Sequence, residues 1–171
     1  KDTTKYLIRT SMKKHKEIKL VSYDVNKGLG HALRRGFNSS RGRIIVTMDS
    51  DLAHPPYFIQ KLVEKVDEGY DVVIGSRYIS SAGIKGVPVH KDFLSKLTNK
   101  ATNFVIHSNI RDLTSGFRAF NSSLLKKINT KEVGFGVELE ILIKLMKMKA
   151  KIVEIPFTAV DRQAGKSKFS V

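Results

Sequence analysis

Apolar positions along the first half of the chain recur with two alternating periods. Tyr6, Leu7 and Met12 stand among basic residues over 3–16, a pattern that predicts a surface helix. Ile18 to Tyr23 alternates apolar and polar positions and predicts a strand. A loop, Asn26-Lys27-Gly28-Leu29-Gly30, leads into a helix over His31 to Ser39. Arg43 to Met48 is β-branched and almost free of charge, as a buried strand is, and it runs into Asp49-Ser50-Asp51. His54-Pro55-Pro56 then opens a helix through Asp67, with proline in its first turn. Tyr70 to Gly75 is a second apolar strand. Strands alternating with helices imply an α/β domain with a mainly parallel sheet flanked by helices. Ligands of such sheets sit beyond the carboxyl ends of the strands, where Asp49, Asp51, Ser76 and Arg77 fall.

The second half is less regular. Between Pro88 and Ser108, Phe93, Leu94, Leu97, Ala101, Phe104 and Val105 recur at helical spacing with His90, Lys91, Lys96 and Lys100 between them, predicting an amphipathic basic helix. Gly116 to Phe120 reads as a strand, Val137 to Lys147 as a helix and Lys151 to Pro156 as a strand. The tail over 161–168 is polar and basic. No repeat, low-complexity tract or linker interrupts the 171 residues, which are expected to form a single domain.

Composition narrows the function classes. The formal net charge is +15, and the first 43 residues hold twelve Lys/Arg against three Asp/Glu. Such a surplus attracts nucleic acid, anionic head groups or phosphorylated substrates. Base-stacking aromatics are not interleaved with these cations and Trp is absent, which argues against nucleic acid. The absence of cysteine excludes disulfides and thiolate-bound zinc. Lys144 and Lys147 interrupt the apolar run Ile141 to Met148, well short of the ~20 apolar residues of a membrane span.

Asp49 and Asp51 lie one residue apart where a strand ends, so their carboxylates can converge on a hard cation, Mg²⁺ or Mn²⁺. A helix cap and a turn aspartate are the plainer alternative. Gly28 and Gly30 would let backbone amides approach a phosphate, or serve only the turn between strand and helix. Arg77, Arg118, Arg162, Lys166 and Lys168 stand at loop positions and strand ends, where phosphate binding competes with ordinary surface pairing. The five histidines show no metal-binding spacing, and His54 is placed near the carboxylates.

Five segments, taken in order, resemble the family-2 glycosyltransferases and, within them, the dolichyl- and polyprenyl-phosphate sugar synthases. They are N-K-G-L-G-H-A-L-R-R-G-F (26–37), R-G-R-I-I-V-T-M-D-S-D-L-A-H-P-P (41–56), D-V-V-I-G-S-R-Y (71–78), L-T-S-G-F-R-A-F (113–120) and E-I-P-F-T-A-V-D-R-Q-A-G-K-S-K-F (154–169). The resemblance implies a glycosyltransferase-A type fold and inverting transfer of a sugar from a nucleotide diphosphate, GDP-mannose or UDP-glucose, to a polyprenyl phosphate. It implies a peripheral position on the cytoplasmic membrane surface, with the helix at 90–107 resting there. Asp49 and Asp51 match the D-x-D metal and diphosphate motif. Arg77, Lys91, Arg118 and Arg162 match or adjoin phosphate-handling positions, Ser115 lies in the T-S-G-F-R segment, and Lys166 and Lys168 lie in the last segment. Glu138 and Glu140 are candidates for holding the sugar or acting as a base. Relatives open with a P-x-Y-N-E strand and a D-D-x-S turn that hold base and ribose. This chain opens at Lys1-Asp2-Thr3-Thr4, so the N-terminal strands are expected to be missing and the chain as written inactive. Ala53 replaces a polar residue that helps hold the metal in some relatives. A transferase with a glycan acceptor, or a basic nucleic-acid-binding module, are the alternative readings.

Overall fold

The computed structural model describes residues 3–79, 83–84 and 108–159. The basic helix expected at 90–107, with Lys91, and the tail positions Arg162, Lys166 and Lys168 lie outside the described residues. Helix α1 (Thr4–Lys14) buries none of its side chains, as its scattered apolar positions foretell. Helix α2 (Leu29–Ser39) precedes strand β1 (Ile44–Thr47), and a 3-10 turn (Pro56–Phe58) leads into α3 (Ile59–Asp67). Strand β2 (Val72–Ser76), the short β3 (Gly83–Ile84), β4 (Arg118–Asn121), α4 (Ser122–Leu125), α5 (Val137–Lys147), β5 (Ile152–Pro156) and β6 (Thr158–Ala159) complete the order.

The main sheet has the order β1-β4-β2-β5, and β3 pairs with β6 in a separate ribbon. β2 and β5 are parallel, whereas β4 is antiparallel to both β1 and β2. Three of the four strands, β1, β2 and β5, run the same way, in keeping with the mainly parallel expectation, and β4 lies reversed between two of them. The crossover from β1 through α3 to β2 leaves a slot one strand wide. The chain after residue 108 enters that slot from the carboxyl ends of β1 and β2. Alternation reveals which face a side chain takes but says nothing about strand direction.

Side chains sort by parity. Ile45, Val72, Ile74 and Phe120 face α5, whose Val137, Ile141, Leu142 and Leu145 fill one core. Val73, Phe117 and Ala119 face the other way, against Phe58, Leu62 and Val66 at and beyond the start of α3. All five residues of β2 are buried, as a strand covered on both faces must be. The strand expected at Ile18–Tyr23 is absent: this stretch pairs with none of the described strands. A strand exists through its ladder partner, and here the alternating side chains instead line a groove with Ile8, Ala32 and Arg35 of α1 and α2. Tyr23 stands edge-on to His31, with ring centroids 4.9 Å apart.

Candidate active site

The carboxyl ends of β1, β2 and β5 lie at one end of the sheet, together with the start of β4 and the N-termini of α2, α3 and α5. Asp49 and Asp51 leave β1 at this end. The Asp49 side chain is 64% exposed, while Asp51 is half-buried and accepts a hydrogen bond from the Ala53 N–H at 3.1 Å. Leu52, between them and His54, takes φ 64°, a left-handed conformation that a branched side chain adopts only under constraint. The Thr47 hydroxyl donates to the Gly116 carbonyl at 2.8 Å and ties the end of β1 to the turn before β4.

Gly116 separates two acids. A Cβ there would lie 3.6 Å from Glu138 Oε1 and 3.7 Å from Asp49 Oδ1, so the glycine hydrogen faces both carboxylates. Glu138 is buried, although acids on a helix are ordinarily exposed. It lies three, four and seven residues before Ile141, Leu142 and Leu145, on the apolar stripe of α5, a signal legible in the sequence. Burial pushes its carboxyl above the usual glutamate range; Arg118 opposes that rise and Asp49 adds to it.

Arg118 is fully buried under the site rather than open to a phosphate. β4 alternates Phe117 and Ala119 toward α3 with Arg118 and Phe120 toward α5, so the guanidinium meets the first turn of that helix. Its Nη1 donates to the Glu138 carbonyl at 2.7 Å and lies 3.3 Å from Glu138 Oε2, and Nη2 donates to the Leu113 carbonyl at 2.6 Å. Burial lowers its pKa against the pull of Glu138. Arg77 forks onto the buried Asp112, with Nε and Nη2 donating to its two oxygens at 2.8 and 2.7 Å. Burial disfavours the Arg77 charge, but the hydrogen bonds and charge of Asp112 outweigh it and raise the pKa. Asp112 is held in turn by the Arg77 N–H, and its own N–H donates to Glu154. Sequence reasoning missed Asp112, because a lone acid before a Thr-Ser-Gly turn carries no pattern.

Other candidates have structural tasks. Ser115 donates to the Gly75 carbonyl at 2.7 Å and accepts from the Phe117 N–H, so its hydroxyl serves the turn rather than a substrate. The Glu140 carboxylate accepts from the N–H groups of Lys131 and Glu132 and pairs with Lys144. Although partial desolvation works the other way, those backbone donors and Lys144 hold its carboxyl below the usual range. The Gly28 and Gly30 amides are not a phosphate cradle: they donate to Asn26 Oδ1 and to the Val133 carbonyl, both at 2.9 Å. Gly28, at φ 82°, starts α2. A Cβ on Gly30 would lie 2.0 Å from the Glu132 carbonyl oxygen. Gly30→Ala should therefore destabilise by about 1–3 kcal/mol, although alanine inside a helix ordinarily gains about 1 kcal/mol. A denaturant midpoint above that of the unsubstituted protein would rule out this contact.

Among the described residues no group of three His, Asp or Glu converges as a ready-made metal site. The donors that do meet here are hard carboxylate oxygens, the chemistry a divalent Mg²⁺ or Mn²⁺ accepts. Asp49 and Asp51 would hold such an ion, with its remaining positions left to ligand oxygens and water.

Residues 1–129 match the family model for glycosyl transferase family 2. The chain belongs to that family. It is 35% identical over 153 residues to dolichol-phosphate mannosyltransferase of Pyrococcus furiosus, covering 88% of this chain and 43% of that protein. It is 32% identical over 146 residues to polyprenol monophosphomannose synthase of Mycolicibacterium smegmatis, covering 84% of this chain and 53% of that one. The family-2 chain thus spans about half the length of these curated relatives. In three dimensions it resembles glucosyl-3-phosphoglycerate synthase from Mycobacterium tuberculosis. The complex of that enzyme with Mn²⁺, UDP and phosphoglyceric acid superposes at TM-score 0.67 with 22% identity, over 97% of this chain and 57% of that one. Its complex with Mg²⁺ and UDP gives 0.65 with 23% identity, over the same shares. This likeness establishes the glycosyltransferase-A type fold.

Proposed function

We propose that the protein transfers a sugar, mannose rather than glucose, from a nucleotide diphosphate to a polyprenyl phosphate, inverting the anomeric centre. The observation that carries this reading is that Asp49 and Glu138 face one another across Gly116 at the carboxyl end of the sheet, with Asp51 two residues along the same loop. The names of the Pyrococcus and Mycolicibacterium relatives support mannose and a lipid phosphate. The solved synthase, crystallised with Mn²⁺ or Mg²⁺, supports a divalent ion.

A divalent ion bound by Asp49 and Asp51 would neutralise charge on the departing diphosphate. Glu138, facing the same space across Gly116, would accept hydrogen bonds from sugar hydroxyls. The Arg118 ion pair keeps it in place, and the Arg77–Asp112 fork keeps the turn after β2 rigid. A lipid phosphate oxygen is already anionic, so the residues need to orient it in line more than to deprotonate it. Lys91, Arg162, Lys166 and Lys168 are proposed to meet its phosphate. A transferase working on a glycan hydroxyl would instead draw on Glu138 as a base. Its burial-raised pKa suits that role, and a glycan acceptor is therefore the second reading.

The membrane surface is proposed as the place of work. No helix among the described residues is long and apolar enough to cross a membrane. The net charge of +15 suits an anionic surface. Leu52, Tyr57, Val133 and Phe135 stand exposed on the loops at the site end, where apolar contact with lipid would bring the acceptor within reach.

The test is transfer by the full-length protein from GDP-mannose and from UDP-glucose to a short polyprenyl phosphate, with Mn²⁺ or Mg²⁺ and with EDTA. Mannosyl lipid that forms only with metal is the expected result, and EDTA should lower the rate at least about a hundredfold. Product on a glycan but not on the lipid phosphate would shift the acceptor. Undiminished product in EDTA would end the metal assignment.

A further inference from the structure

His54 lies behind the carboxylate loop, against both the amide and the carboxylate of Asp49. It is buried, its ring lies flat on Phe117 with centroids 4.8 Å apart at 7°, and Phe157 meets it edge-on at 5.7 Å. A polar ring in so aromatic a setting needs a hydrogen-bonding partner. It has one in the backbone of the carboxylate loop, since the Asp49 N–H donates to His54 Nδ1 at 2.9 Å. Nδ1 is thereby an acceptor, which puts the ring proton on Nε2. That nitrogen lies 3.9 Å from Asp49 Oδ2. One imidazole thus meets both the backbone and the carboxylate side of Asp49, while Phe117 and Phe157 hold the ring still.

The rest of the loop shows why such a clamp is needed. Between Asp49 and His54 the chain turns back within five residues. The turn contains the Asp51 carboxylate bonded to the Ala53 N–H and the left-handed Leu52. A left-handed leucine persists only where its surroundings fix the backbone around it. The Asp49–His54 bond closes this turn across its open end, and Phe117, adjacent to both Gly116 and Arg118, anchors it to β4. The His54–Phe117 stack thus joins the Thr47–Gly116 bond in setting the Asp49 loop against β4.

We propose that His54 is a positioning residue: its Nδ1 holds the Asp49 amide, and so orients the Asp49 and Asp51 carboxylates toward a divalent cation. This rests on the reading of those two aspartates as the cation's ligands. His54 itself is no ligand in this scheme, because Nδ1 is occupied by the amide and the ring is covered by phenylalanines.

Two substitutions separate the acceptor from the packing. His54→Phe keeps a flat ring on Phe117 but loses the acceptor. His54→Asn loses most of the ring, yet its Oδ1 is the same number of bonds from the backbone as Nδ1 and can accept the same N–H. The full chain is measured in three ways: amide exchange at Asp49 without metal, Mn²⁺ affinity by electron paramagnetic resonance, and thermal midpoint. His54→Phe should exchange the Asp49 amide about fivefold faster and bind Mn²⁺ about tenfold more weakly, with little change in midpoint. His54→Asn should recover both properties while melting lower. The proposal is overturned if His54→Phe retains amide protection, or if His54→Asn loses protection and affinity in step with its midpoint. Should the unsubstituted protein bind no Mn²⁺ while the amide pattern holds, the clamp on Asp49 stands and the cation reading of the aspartates falls.

Discussion

Arg118→Ala is expected to cost about 3–5 kcal/mol of folding stability, the scale of breaking a buried ion pair by removing one partner. The guanidinium is fully buried, lies 3.3 Å from the Glu138 carboxylate and donates to the carbonyls of Glu138 and Leu113. Alanine deprives the Glu138 carboxylate of its cation, removes one donor from each of two carbonyls and opens a void between β4 and α5. The pH dependence separates the charge from the void. Burial already raises the Glu138 pKa above the usual glutamate range, with Arg118 opposing the rise. Removing Arg118 raises it further. A carboxyl whose folded-state pKa is raised favours folding below its unfolded pKa and loses that contribution as pH climbs through the folded value. The deficit of Arg118→Ala relative to the unsubstituted protein should therefore be smallest in acid, where Glu138 is protonated. It should grow as pH rises through the elevated Glu138 pKa. Urea midpoints across this range test it: a deficit independent of pH would mean that lost packing, not the unpaired charge, sets the cost. Arg118→Met, which keeps the volume of the stem, should show the same pH slope on a smaller offset.

That arginine also shows where a sequence is mute. Ser115-Gly116-Phe117-Arg118 suggested a cation at a loop reaching for phosphate. A β-strand alternates sides, though, and with Phe117 turned toward α3 Arg118 had to point under the sheet toward α5. Only the pairing of β4 between β1 and β2 decides that, and pairing is not a local property. Helix α5 was legible to the residue because its evidence is local: Gly134 and Gly136 precede it, and Val137, Ile141, Leu142 and Leu145 share one face. The same periodicity contains the burial of Glu138, which shares the apolar stripe of α5. β1 and β2 were legible for the same reason as α5, through runs of β-branched residues. The Ile18–Tyr23 alternation was equally clear and still made no strand, since alternation permits a ladder without supplying a partner. Gly28 and Gly30 advertised close backbone approach correctly in kind. What approaches is the backbone at 132–133, a segment about a hundred residues on, which no spacing near residue 30 encodes.

Asp51→Asn is expected to slow sugar transfer by about two to three orders of magnitude, the scale of losing one preorganised electrostatic group at a developing charge. Asparagine matches aspartate in size, and its Oδ1 can still accept the Ala53 N–H that closes the turn. The fold around Asp49, Leu52 and His54 should therefore survive, with a thermal midpoint near that of the unsubstituted protein. What goes is one negative charge at the point where a divalent ion and a diphosphate would meet. Because Asp51 would help to hold the ion, a weaker hold on it should appear first as a higher Mn²⁺ requirement, partly relieved at high Mn²⁺. The remaining deficit at saturating metal would then report on charge stabilisation during bond breaking. Asp49 should behave differently. Its carboxylate faces Glu138 across Gly116 and His54 at its back, so Asp49→Asn removes repulsion from Glu138 as well as a ligand. A rate for Asp51→Asn within about threefold of the unsubstituted enzyme at every Mn²⁺ concentration would show that the second carboxylate belongs to the turn alone.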